Sequence, residues 1–85
     1  MSKLKFQLLE DLDRMVDEYA KRKGIFREEV AERMGMSRST LSATLLGDRK
    51  LSIDFIEQAC LACERDFSGF MIDAIEESCN IVIND

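Results

Sequence analysis

Leu8, Leu12, Met15 and Tyr19, joined by Leu9 and Val16, recur every three or four residues, the spacing that lines one face of a helix with apolar side chains. Gly24 follows the basic run Lys21-Arg22-Lys23, placing cations at the negative end of the helix dipole, so this pattern predicts a helix over about 6–23. A second, short helix is predicted over 27–34, with Val30, Ala31 and Met34 inward and Glu28 and Glu29 in its first turn. Gly35 ends it. Ser37 then offers a hydroxyl cap to a third helix of about 38–46, in which Leu41 and Leu45 face the core and Gly47 closes the end. Ser52 caps a fourth helix, about 52–65, lined by Ile53, Ile56, Ala59, Cys60, Cys63 and Phe67. Asp66 or Ser68 caps a fifth, about 69–79, with Phe70, Met71, Ala74, Ile75 and Cys79 inward. Beyond it, Ile81-Val82-Ile83 between two asparagines reads either as a frayed tail or as a short C-terminal β-strand able to pair with an identical copy across a two-fold axis.

The break at Met34-Gly35-Met36 calls for a geometric reason, because a helix that only filled a core would have none to stop there. Two short helices joined by a three- to four-residue turn containing glycine make a helix-turn-helix, in which the second helix stands steeply against the first and enters the major groove of DNA. Ala31, four residues before Gly35, is small where the two helices must approach, and Val30, Met34, Met36 and Leu41 cement the pair.

Composition narrows the class. Eighty-five residues build one small core, and with no proline, four glycines and apolar residues spread along the chain the fold class is all-α. No apolar stretch reaches the length of a membrane span and the N-terminus lacks the apolar core of a signal peptide, which predicts a cytoplasmic protein. Three cysteines and no histidine argue against a disulfide framework, against most zinc sites and against the commonest general base; no metal, cofactor or enzymatic activity is expected. Cys60 and Cys63 fall inside a helical pattern and read as small buried hydrophobes. The net charge of −5 is unevenly laid out: residues 1–50 carry +2 and residues 51–85 carry −7. A nucleic-acid surface therefore belongs to the first fifty residues.

The stretch from Arg27 to Ser42, REEVAERMGMSRSTLS, with Gly47 at the closing position, resembles the core pattern of the lambda-repressor and Cro family of helix-turn-helix regulators. The resemblance covers about residues 8–67, with the motif over 27–47. It implies a four- to five-helix DNA-binding domain and a homodimer that binds an operator in double-stranded DNA; the domain is expected over 1–67, and 68–85, a C-terminal helix and tail of the same domain that exceed what a four-helix core requires, are the material left for a dimer interface. Two positions depart from it. Thr44 stands where the family usually has an apolar residue, leaving Leu45 to pack and the last turn rotated or frayed, and Phe26 stands where a threonine or serine commonly caps the second helix, with core packing as its compensation.

The resemblance implies base contacts from Arg38, Ser39 and Thr40, with Ser42 and Ala43 one turn along. The chemistry of these side chains suits base edges, since arginine takes guanine O6 and N7 together, hydroxyls bond either kind of edge, and Thr40 or Ala43 can touch a thymine methyl. The competing reading of Arg38 is a surface charge, solvated or paired with Glu29 or Glu32. Phosphate contacts are expected from Arg27, Arg49 and Lys50, with Arg33 open to neutralisation by Glu29 and Glu32. One short helix reads only a few base pairs, which argues for pairing, and Phe70, Ile81, Val82 and Ile83 are the expected dimer contacts. The expected function is a sequence-specific, repressor-like transcriptional regulator, compact enough to suit a phage or prophage; the alternative is an acidic protein-interaction module, such as an antitoxin or an antagonist of a DNA-binding protein.

Overall fold

The computed structural model describes residues 2–83, with side chains placed through Cys79. Five helices follow one another: α1 (Lys3–Lys23), α2 (Arg27–Arg33), α3 (Arg38–Leu45), α4 (Ile53–Ala62) and α5 (Phe67–Ile83). No strand occurs among the described residues. α1 begins three residues earlier than its apolar rhythm indicates, because the Ser2 hydroxyl accepts the Lys5 amide at 3.1 Å. Ser37 and Ser52 cap α3 and α4 as their sequence positions suggest, accepting the amides of Thr40 and Phe55 at 3.2 and 3.0 Å.

α1 to α4 all stop in one way. A residue in the left-handed region follows the last turn, and the next amide donates to the carbonyl five residues back: Ile25 to Ala20, Met36 to Ala31, Asp48 to Ala43 and Arg65 to Cys60, at 2.8–3.0 Å. Glycine holds that conformation at the first three ends, but at the fourth it is Glu64, with φ 56°. With no glycine to punctuate it, the sequence pattern extends α4 to 65, whereas the helix ends at Ala62. Asp66 then caps α5, its Oδ2 accepting the Gly69 amide at 2.7 Å, so the helix opens at Phe67.

The C-terminal expectation needs correction. The backbone remains helical through Ile83, so Ile81-Val82-Ile83 continues α5 and forms no strand. The strand preference of three β-branched residues is weak against helix propagation, in which each added residue gains a hydrogen bond without repeating the cost of nucleation. Their side chains lie outside the described residues.

α1 is the axis of the core and touches each of the other four helices. Leu12 and Val16 from α1, Val30 from α2, Leu41 from α3 and Ile56 from α4 are shut off from solvent, and Phe70 and Ala74 bring α5 onto the same cluster. A polar seam joins the two long helices at one end: Gln7 Nε2 donates to Glu77 Oε2 at 2.9 Å and to Asp11 Oδ1 at 3.0 Å, and Arg14 pairs with Asp11. The register of α4 and α5 differs in detail from the predicted one. Ile53, Ile75 and Cys79 are exposed, while Phe55 is buried in their stead. Ile53 is the first helical residue, where no preceding turn exists to pack against it. Cys60 and Cys63 lie in the core, and burial pushes both thiols up, Cys63 to about 11, which suits packing rather than nucleophilic or ligand chemistry. Among the described residues, no helix is long and apolar enough to cross a membrane.

Candidate nucleic-acid interface

Gly35, at φ 75°, sets the angle between α2 and α3. A Cβ added there would meet nothing within 4 Å, so glycine is required by the left-handed backbone and not by crowding. Ala31 and Leu41, both fully buried, let the two helices close on each other. At the start of α3 the Ser37 hydroxyl accepts the Thr40 amide, donates to Thr40 Oγ1 at 3.0 Å and lies 3.1 Å from Ser39 Oγ. This short hydroxyl chain fixes the first turn of the helix that the turn projects.

The last turn is neither rotated nor frayed. Thr44 and Leu45 are both buried, and the Thr44 hydroxyl donates to the Thr40 carbonyl at 2.9 Å, so the polar atom that an apolar site would reject is satisfied within the helix. Phe26 does not behave as expected. It is 82% exposed and makes no side-chain cap, so it compensates for the missing capping bond neither by hydrogen bonding nor by core packing. Its ring instead lines a polar cleft together with Lys21, Glu28 and Arg38.

At 100° per residue, positions 38, 42, 46, 39 and 43 fall within an arc of about 140° on α3 and its cap. Arg38 and Ser39 are exposed, Ser42 and Ala43 are half-buried, and Thr40, also half-buried, falls about 60° outside the arc and is held by its bond with Ser37. Sequence reading overlooked Leu46, which is 76% exposed near the middle of that arc. The apolar pattern places Leu41 and Leu45 inward and assigns Leu46 no role; the packed helix shows it facing out.

The cations divide into free and engaged. Arg38, Arg49 and Lys50 are exposed, and among the described residues none has an ion-pair partner; Arg38 pairs with neither Glu29 nor Glu32. Arg27 is half-buried and donates to Asp13 Oδ1 at 2.9 Å, with Asp17 at 3.9 Å, so it ties α2 to α1. Arg33 stays exposed but is engaged, and not by Glu29 or Glu32: it donates to the Tyr19 hydroxyl at 2.7 Å, which in turn donates to Glu64 at 2.6 Å. Arg22, Lys23 and Arg33 stand 5.6–5.8 Å from the centre of the Tyr19 ring. Phe70, expected at a dimer interface, is 3% exposed within the core and has no surface to offer a second copy.

A two-helix turn carrying an exposed arginine, unpaired among the described residues, at the head of its second helix is the arrangement of DNA-binding motifs, and a protein-family model described as helix-turn-helix matches residues 16–70, about two thirds of the chain. The chain belongs to that family. It is a helix-turn-helix protein of the Cro/C1 type, and in general terms a DNA-binding regulator. No curated protein and no solved structure gives a significant match. The helix-turn-helix match takes in the last part of α1, all of α2 to α4 and the first turn of α5; residues 3–15 of α1 and most of α5 lie outside it.

Proposed function

We propose that this helix-turn-helix protein is a sequence-specific, repressor-like transcriptional regulator, of the compact kind that a phage or prophage encodes, and that it reads an operator half-site with α3 in the major groove. The observation that carries the reading is Arg38, which is exposed, unpaired among the described residues and at the head of α3, where such helices meet base edges. Arg38 takes guanine, and Ser39, Thr40, Ser42 and Ala43 supply hydroxyl and methyl contacts beside it. Arg49 and Lys50, just past α3, hold phosphates. Arg27 is the weaker phosphate donor, since it must first leave Asp13. A homodimer reads two half-sites about 34 Å apart or a multiple of it. Ile81, Val82 and Ile83, at the end of α5, remain the proposed material for that dimer.

Selection of bound fragments from a random duplex pool tests the reading, with a two-fold-symmetric consensus as the expected result. On the selected site, Arg38→Ala lowers affinity by about 1–3 kcal/mol and relaxes preference at one base pair, whereas Lys50→Ala weakens operator and random DNA alike and lowers the salt slope by about one. Equal losses on both kinds of DNA for Arg38→Ala would remove its role in readout.

A second reading draws on the −7 charge of residues 51–85 and on Ile72 and Ile75, exposed on α5 among Asp73, Glu76 and Glu77: an acidic module that docks a protein, as an antitoxin or an antagonist of another DNA-binding protein does. Affinity for DNA that falls steeply as salt rises favours the first reading; no enrichment from the pool favours the second.

A further inference from the structure

We infer that the groove between the N-terminal half of α1 and the C-terminal end of α3 docks a basic amphipathic helix of a partner protein, and that this partner and DNA exclude one another. Leu9 and Leu45 floor the groove, whose volume is about 390 Å³, and Phe6 and Leu46 stand on its rim, 58% and 76% exposed. Two large apolar side chains facing one concave surface suit a helix that lays a leucine-like stripe between them, the common mode of helix-in-groove recognition.

The charge of the walls selects the partner. Glu10 and Asp13 line the α1 side; Asp13 is answered by Arg27 at 2.9 Å, while Glu10 has no ion-pair partner among the described residues. The uncompensated negative charge favours a cationic occupant over a DNA phosphate, and also over a second copy of a chain that carries −5. Phe6, Leu9, Glu10 and Asp13 all precede residue 16, where the helix-turn-helix match begins, so this wall lies outside the matched segment. Ser42 also lines the groove, and with Leu46 it lies on the outward face of α3. An occupant therefore covers part of the reading surface. Docking stands on the groove alone, whereas exclusion of DNA rests on the operator-reading role of α3.

The test titrates two synthetic helical peptides of equal apolar spacing, one of leucine and lysine and one of leucine and glutamate, into the isotope-labelled 85-residue chain. The leucine–lysine peptide is expected to shift the amide resonances of Phe6, Leu9, Ser42 and Leu46, and the leucine–glutamate peptide is not. Leu46→Ala, at an exposed position that leaves the folded spectrum in place, lowers affinity for the basic peptide roughly tenfold, and Glu10→Lys weakens it in a salt-dependent way. Shifts confined to the acidic face of α5, equal binding of both peptides, or self-association abolished by Leu46→Ala each overturn the docking proposal. A pool-selected duplex should displace the basic peptide. Simultaneous binding of both overturns the exclusion, and failure to select any duplex overturns the exclusion together with the operator reading, while the peptide map still decides docking.

Discussion

Glu64 holds a left-handed backbone, φ 56°, that disfavours any residue with a Cβ by roughly 1–2 kcal/mol. Its side chain explains why it stays: the carboxylate accepts the Tyr19 hydroxyl at 2.6 Å and faces Lys23 at 3.6 Å. The Tyr19 hydrogen bond first, and the Lys23 charge second, hold the Glu64 carboxyl below its ordinary value of 4.5. A depressed carboxyl stabilises the fold fully above its unfolded value, and that contribution fades as pH falls through the folded one. In Tyr19→Phe the Glu64 carboxyl resonance is therefore expected to titrate closer to 4.5 than in the wild type, and acid unfolding to become less dependent on this residue. An unchanged titration would mean that the tyrosine contact does not set it. None of this is legible from the sequence, because Tyr19 and Glu64 lie 45 residues apart and only the packing of α1 against the end of α4 brings them together.

The turn between α2 and α3 separates two kinds of backbone cost. Gly35→Ala meets no neighbour within 4 Å, so its expected penalty is the left-handed conformation alone, about 1–2 kcal/mol. Ala31→Leu adds three carbons to a fully buried site between two helices, with an expected penalty of about 1–3 kcal/mol for overpacking and, in addition, a changed angle between α2 and α3. Urea midpoints measure both penalties. At comparable stability loss, the Ala31 variant should lose more affinity for a selected duplex, because it alone displaces α3. This element was well marked in the sequence. Its Ser37 cap, its glycine and its small residue are local signals that depend on nearest neighbours along the chain, and they specify where α2 stops, where the chain turns and where α3 starts.

At the scale of the molecule, α5 is part of the core and not an appendage. Phe70 and Ala74 are buried with α1, and Gln7 bonds Glu77 across the two helices. A fragment ending at residue 67 removes these contacts, and large apolar truncations in a core typically cost about 3–5 kcal/mol each. For a domain of this size that is a large share of the total stability. The fragment is expected to show reduced helicity and a broad, non-cooperative melt by circular dichroism. A sharp transition near that of the full chain would show that residues 1–67 are self-sufficient.

The sequence by itself determined the five helices, the position of the helix-turn-helix and most of the buried stripe, because apolar period, caps and glycine turns act over a few residues. Tertiary packing decided what those signals leave open. It bonded Arg27 to Asp13 and Arg33 to Tyr19 while leaving Arg38 without an ion pair among the described residues, and it set Leu46 and Phe6 on one groove. Each of these outcomes depends on the phase of one helix against another distant in the chain, and a single helix cannot know which of two adjacent apolar faces its neighbour will cover.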